Sequence, residues 1–304
     1  MSPPVPLVSI GLPVRNAEDR VAATIRTVLD QDHEDLELVI SDNASTDGTE
    51  EVCRDAARSD PRVRYHRQPV DLGILGNFQT TMRLAGGRLF RWIGDDDAIH
   101  PTYVSRCLEV FDQRPETLLV TTQIEYVAPD GSSETTTDYD PGPLADPDPV
   151  TRLEGILRYL NDSAVLVDPL YSMMRRDRVL AIPRVNTLRE DEVFATRLAL
   201  AAPWGHVPAL LAQRHTRAGD LRDIARRLGV PAWQLRVTTA LVARTVLADI
   251  ATGDLGPADR RRARSAVARF YVTRHQRTVR HRSRRVAEMV AGTVPHRGQG
   301  TVAT

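Results

Sequence analysis

The 304-residue chain contains no lysine: all forty of its basic residues are arginine, set against forty aspartates and glutamates. A Schiff-base or pyridoxal-phosphate enzyme needs a lysine amine, and a P-loop needs one over its phosphates, so both classes are excluded. Long apolar runs are missing too. No stretch approaches the roughly 18 residues that would cross a bilayer. Cysteine is scarce, and Cys53 and Cys107 lack any CxxC spacing. They read as small buried hydrophobes in a reducing compartment, with no disulfide or metal site. Met1-Ser2-Pro3-Pro4 has no basic segment followed by an apolar stretch, so no secretory leader is expected and cytoplasmic residence follows.

At 41% hydrophobic residues the chain can bury a substantial core. Its neutral total hides a split. As far as Gly219, 23 arginines stand against 34 acidic residues; from Asp220 onward, 17 stand against 6. An acidic body is followed by a basic tail.

Over residues 1–127, short apolar runs alternate with helical patterns, which predicts an α/β layer with a mostly parallel central sheet. Strands are expected at Leu7–Val14, Leu36–Ser41, Val63–His66, Leu89–Ile93 and Leu118–Ile124. Helices are expected at Ala17–Leu29 with Asn16 as its cap, at Thr49–Arg58, at Leu75–Ala85, and at Pro101–Phe111 with Pro101 in the first turn. Pro129–Pro149, rich in proline and small polar residues, predicts a loop or flap. Beyond it the pattern predicts a helix at Arg152–Leu160, a strand-like stretch at Ala164–Met174, and a helix from about Glu190 to just before Pro203. Arginine-rich helices follow at Asp220–Leu228, Pro231–Ile250 and Pro257–Ala291. Three parts are therefore expected: 1–127, 128–219 with its loop 129–149, and a helical tail 220–304.

In an open parallel sheet, ligands bind beyond the carboxyl ends of the strands. Three predicted strand ends carry carboxylates or amides: Pro13-Val14-Arg15-Asn16, Asp42-Asn43-Ala44-Ser45-Thr46-Asp47-Gly48, and Gly94-Asp95-Asp96-Asp97. Three adjacent carboxylates repel one another, and a divalent cation would neutralise them. Hard oxygen ligands point to Mg²⁺ or Mn²⁺ bridging a diphosphate. The plainer alternative is a solvated acidic turn favoured by the dipole of the next helix. Asp42, one step beyond its strand, is placed to accept hydrogen bonds from a nucleobase edge.

Together these segments carry a resemblance. Pro6–Asn16, Asp42–Thr49, Asp71-Leu72-Gly73 with Asn77, Ala85 and Gly86, and Asp95-Asp96-Asp97 with Pro101 resemble, in order, the motifs of the family 2 glycosyltransferases of the GT-A fold. The resemblance implies a nucleotide-sugar donor. Pro13, Arg15, Asn16, Asp42 and Asn77 would hold base and ribose, and Asp95 and Asp96 would face the diphosphate, with Asp95 and Asp97, or Asp96 alone, as metal contacts. Two departures stand out: Gly94 occupies the place of the usual first aspartate, and Ala44 that of a usual glycine. Inverting members resemble one another in an aspartate opening a helix beneath the acceptor, which singles out Asp191 in Leu188-Arg189-Glu190-Asp191-Glu192 as general base. The stretch Val207–His215 resembles the strand that follows that helix, with Arg214 set to neutralise the leaving group and His215 as a further metal ligand or a contact to the diphosphate. For Glu190, Asp191 and Glu192 the plainer account is a favourable helix N-terminus.

For the tail, four uses are open. Ile224–Arg236 has helix, glycine turn, helix syntax, which would suit DNA binding, although no basic arm accompanies it and nucleic acid is disfavoured. Its arginines would also suit an anionic membrane surface and a lipid-linked acceptor, self-association, or folding back on the acidic body. A glycan or a small molecule is an equally open acceptor. Pyrophosphorylase chemistry lacks its glycine-rich, lysine-bearing first loop, whereas a non-catalytic nucleotide-sugar-binding protein of the same fold remains the main rival.

Overall fold

Val8–Val14 forms the central strand β1, buried on both faces except for half-buried Pro13, as a strand inside a parallel sheet must be. A proline there needs explaining, since it removes a ladder donor. Pairing supplies the reason. On one side β1 runs beside β2 (Leu36–Asp42) through Pro13↔Ser41, but on the other its pairing with β4 (Leu89–Trp92) ends at Gly11↔Trp92. The missing N–H faces the side where β4 has already ended. Gly11 is equally local in cause: a Cβ there would lie 2.5 Å from the Phe90 ring.

The computed structural model describes residues 7–136, 139, 141–162, 168–216 and 221–290, with side chains as far as 277. Between those first strands come α1 (Val21–Leu29), α2 (Thr49–Ser59), β3 (Val63–Arg67) and α3 (Gly73–Leu84). Then follow β5 (Ala98–Ile99), α4 (Tyr103–Gln113), β6 (Leu119–Val127), β7 (Ser133–Thr135), α5 (Pro149–Asp162), β8 (Met173–Arg175), α6 (Arg176–Leu180), α7 (Glu190–Ala201) and β9 (Trp204–His215). Helices α8 (Leu221–Leu228), α9 (Gln234–Thr252) and α10 (Pro257–Val290) close the described chain. The sheet order is β3-β2-β1-β4-β8-β6-β9-β5, with β7 on β6. Strands β1 to β4 are parallel, and β8 runs antiparallel between β4 and β6. The chain leaves β1 outward to β2 and β3, then returns to its other side at β4, and this reversal opens a crevice at the carboxyl ends.

Two apolar cores cover the sheet. Val21, Ile25 and Val28 of α1 meet Tyr103, Val104 and Cys107 of α4 in one; α3, α5, α7, α9 and α10 meet in the other. Burial pushes both thiols up to about 12, consistent with inert packing.

Several expectations need correction. Asn16 does not cap α1: the helix starts at Val21, and Asn16 takes a left-handed φ of 49° while its side chain reaches the β2 loop. Pro101 precedes α4, whose cap is Thr102. Within Ala164–Met174, residues 164–167 lie outside the described residues; the rest is a 3-10 turn at Pro169–Tyr171 and the start of β8. The described residues of Pro129–Pro149 are mostly loop, within which lie hairpin strand β7, a 3-10 turn at Gly142–Ala145 and buried Leu144 and Thr136.

The basic tail folds back on the acidic body. Ala263, Ala266, Val267 and Phe270 of α10 enter the second core, and Arg262, Arg269, Arg274 and Arg277 pair with Asp148, Glu154, Glu192 and Asp162. Helix α9 buries Val242, Val246 and Ile250 in the same core. No helix of the described residues is long and apolar enough to cross a membrane.

Candidate active site

The crevice beyond β1, β2 and β4 holds a cavity of about 770 Å³ whose lining includes Pro13, Arg15, Asn16, Asn43, Asn77 and the 94–97 turn. Its walls are tied by short hydrogen bonds. Asn16 accepts from the Thr46 N–H at 2.9 Å, and its own N–H donates to Ser45 Oγ at 3.0 Å. Ala44 holds φ 55°, so the turn keeps a glycine-like conformation with a side chain present, at a cost of about 1 kcal/mol. Arg15 pairs with Asp71 across the mouth.

Asp42 has no exposed surface. One oxygen accepts from the Ser45 N–H at 2.9 Å, the other from the Tyr65 hydroxyl at 2.7 Å, and Arg67 lies 3.8 Å away. The carboxylate expected at a nucleobase edge is thus turned inward, where it braces the loop. Asn43 faces the cavity in its place, accepting from the Leu72 N–H and donating to Asp71. Asn77 lines the cavity with its amide engaged: it accepts from Ser41 Oγ at 2.7 Å and donates to the Ser41 and Val14 carbonyls, which fastens β1 to β2.

At the end of β4, Asp95 receives Arg20 at 2.7 Å. Asp97 folds back over Gly94, accepting its N–H at 3.1 Å, and also takes Arg214 Nε at 3.1 Å and the His215 N–H at 3.3 Å. A Cβ on residue 94 would sit 2.7 Å from the Asp97 carboxylate, so glycine here and this aspartate conformation go together. The imidazole of His215 lies against the Asp96 carbonyl at 2.5 Å. The expected trio of Asp95, Asp97 and His215 is therefore not assembled, and among the described residues no group of three or more His, Cys, Asp or Glu side chains could hold a metal. Asp95 and Asp96 do line the cavity. One or two carboxylates completed by phosphate oxygens suit Mg²⁺-type binding, so this donor pair fits a divalent ion carried with a diphosphate.

A second cavity, of about 370 Å³, adjoins the first and shares Ile74, Phe78, Tyr171 and Arg214 with it. Asp191 stands on its wall in the first turn of α7. The residue keeps solvent access, yet desolvation within the cavity, reinforced by Glu192, Asp168 and Glu190, pushes its carboxyl up to about 6. Both flanking glutamates are buried and paired: Glu190 with Arg184, and Glu192 with Arg189 and Arg274. Arg189 reaches this position at φ 62°, a strained cap for a non-glycine residue. Arg214, 17% exposed, stacks on Tyr171 at 3.5 Å from guanidinium to ring centre and reaches Asp97 on one side and Asp168 on the other. Burial opposes its charge, but Tyr171, Asp97 and Asp168 hold its pKa well above the ordinary value.

Sequence reasoning missed Asp168, Tyr171, and the pair Arg226 and Arg227 of α8, which line the first cavity from the tail. No motif marks them. The arginines look like one more stretch of a charged helix.

The family model described as Glycosyl transferase family 2 matches residues 9–179, more than half of the chain. Escherichia coli chondroitin synthase is 35% identical over 107 residues, 35% of this chain and 16% of that protein, so the chain spans about a sixth of that relative's length. S. aureus TarS 1–349 in complex with UDP-GlcNAc aligns over 86% of this chain and 71% of its own with a TM-score of 0.63 at 15% identity. The mannosyltransferase PcManGT of Pyrobaculum calidifontis, in complex with GDP-Man and Mn²⁺, aligns over 96% and 78% with a TM-score of 0.56, also at 15% identity. At such identities the two structures speak for the fold, which is that of the GT-A proteins.

Proposed function

Because the chain belongs to glycosyl transferase family 2, we propose that it moves a sugar from a nucleotide-diphosphate sugar to an acceptor hydroxyl with inversion at the anomeric carbon. One observation carries the reading: a carboxylate of raised pKa, Asp191, stands in a cavity that adjoins the aspartate-lined crevice and shares Arg214 with it. The UDP-GlcNAc and GDP-Man complexes of TarS and PcManGT support a donor of this class. Sugar and acceptor remain assigned only by chemical class, an activated glycosyl group and a hydroxyl.

In this reading residues 1–127 bind the donor, residues 128–219 present the acceptor, and the tail from 220 adds Arg226 and Arg227 to the donor wall. Pro13 and Asn43 face the nucleoside, while Arg15, Asn16 and Asn77 keep the loops in register. Asp191 accepts the acceptor proton as the hydroxyl oxygen bonds to the anomeric carbon from the face opposite the diphosphate. The bond between that carbon and the diphosphate oxygen breaks with its electron pair leaving on the nucleoside diphosphate. Arg214 lies beside this departing charge. A divalent cation held by Asp95 and Asp96 would add positive charge on the diphosphate when bound.

A non-catalytic binding protein of the same fold has no use for a poised base, so Asp191 favours the enzyme. The test is a panel of nucleotide sugars with Mn²⁺ and candidate acceptors, read as release of nucleoside diphosphate. Turnover with at least one donor is expected, falling at least about tenfold on chelation with EDTA and returning with added Mn²⁺. Binding of nucleoside diphosphate without any turnover would favour the binding protein; no binding of any donor would remove the donor assignment.

A further inference from the structure

Arg214 lines both cavities, and two carboxylates hold it there: Asp97 receives Nε at 3.1 Å from the donor side, and Asp168 receives Nη1 at 2.8 Å from the acceptor side. The two contacts, with the Tyr171 ring beneath, fix both the position and the plane of the guanidinium. Asp168 is itself fixed, since its other oxygen caps the 3-10 turn by accepting from the Leu170 N–H at 3.0 Å. It belongs to none of the motifs that resemble the family, and it shares a cavity with Asp191.

We propose that Asp168 is a positioning residue that locks Arg214 at the junction of the two cavities and sets the field around Asp191. Through this one carboxylate, proton uptake on the acceptor side and stabilisation of the leaving diphosphate on the donor side are tied together. An arginine held by Asp97 alone would be free to swing, and the fork aimed at the departing charge would no longer be preorganised. The charges around Asp191 make the second half of the argument. Glu190 and Glu192 flank it on α7, and each is neutralised by an arginine: Arg184 for one, Arg189 and Arg274 for the other. From α3 and α8 the cavity receives only apolar groups, among them Ile74, Phe78, Leu221 and Ile224. Among the described residues that line the cavity, Arg214 of β9 and Asp168 are the other charged groups, so neutralising Asp168 removes one of the negative neighbours that hold the Asp191 carboxyl up.

The proposal rests on the transferase reading, so wild-type protein is assayed beside every variant. Asp168→Asn keeps an oxygen for the turn cap and removes the charge. Expected are a kcat lower by about fivefold or more, a donor KM within about twofold, and an acid limb of the kcat profile displaced to lower pH. Asp168→Glu is expected to restore part of kcat and the original limb. Arg214→Lys keeps the charge but loses the fork, and is expected to lower kcat similarly. An Asp168→Asn enzyme with wild-type kcat and limb overturns the inference. So does a lowered kcat with an unmoved limb and no recovery in Asp168→Glu, which is the pattern of mere structural damage. Should Asp168→Asn fail to fold, Arg214→Lys decides, and wild-type kcat there overturns it. Absent wild-type turnover with every donor, by contrast, defeats the transferase reading itself.

Discussion

On the proposed donor side of the crevice, hydrogen bonds between neutral groups of Asn16, Ser41, Ser45 and Asn77 join the loops beyond β1 and β2 to each other and β2 to α3, beside the more exposed ion pairs Arg15–Asp71 and Arg20–Asp95. On the proposed acceptor side, buried and half-buried charges do the joining: Arg184 with Glu190, Arg189 and Arg274 with Glu192, Arg214 with Asp168. The two kinds of wall respond differently to change. Neutral bonds are each worth about 1 kcal/mol, so the donor loops are stiff through number. A buried ion pair brings little net stability, but removing one partner strands the other at a cost of about 3–5 kcal/mol. The acceptor wall therefore carries strong fields close to Asp191, and its chemistry is the more exposed to single substitutions.

The contrast breaks most visibly at the proposed base. Asp191→Asn is expected to lower kcat by about 100-fold or more while nucleoside diphosphate binding, measured by calorimetry, stays within about twofold of wild type. Because its carboxyl is pushed up to about 6, the ionised form that accepts a proton predominates only above that pH. Wild-type kcat should thus fall about tenfold per pH unit below 6 and level off above 7. Full activity in Asp191→Asn, or a flat profile down to pH 5, would move the base elsewhere.

The same contrast explains what could be read from residues alone. Strands β1, β2, β4 and β6 were legible because largely buried strands leave apolar runs, while the edge strand β3 is mostly exposed, and the ends of all five match the expected ones to within three residues. Donor loops were legible because their asparagines, serines and aspartates sit at strand ends in local patterns. Asp42 shows the limit of that reading: its place beside the crevice was evident, but not that Tyr65 and Ser45 would turn it inward. Strands β5 and β7, two and three residues long, leave no periodic trace. The helices of the tail were legible, and folding back on the body was among the uses expected of it, but the residues that dock it were not. In α10 the buried face consists of Ala263, Ala266, Val267 and Phe270, too small a set to stand out among the arginines, and those arginines find partners more than eighty residues away.

A smaller effect is expected where the tail meets the donor wall. Arg226 and Arg227 are exposed and line the crevice without being buried in it, so they act as screened surface charge. The double variant Arg226→Gln/Arg227→Gln should weaken binding of a nucleoside diphosphate by about fivefold at low salt, and by less at 0.5 M salt, with no change for the uncharged nucleoside. Equal loss for nucleoside and diphosphate would mean that α8 shapes the crevice by packing alone, and the donor wall would then end at β4.

The mildest functional consequence, with a clear structural one, belongs to the contact that ties α10 to the base-bearing helix. Arg274 donates to Glu192 at 2.5 Å and reaches Asn161 at 3.2 Å, bridging the tail to both α7 and α5. Removing it leaves Glu192, 4% exposed, with Arg189 as its remaining cation, so the cost should fall below that of a fully stranded charge, at about 2 kcal/mol. Arg274→Ala is therefore expected to lower the thermal midpoint by a few degrees, about the shift that this energy gives in a chain of such size. Glu192 also becomes a less neutralised neighbour of Asp191, and its added negative field should displace the acid limb of kcat to higher pH, the direction opposite to that expected for Asp168→Asn. Opposite displacements from two sites on the same wall would show that its buried charges set the strength of the base. A thermal loss with an unmoved limb would reduce Arg274 to a bracket between helices.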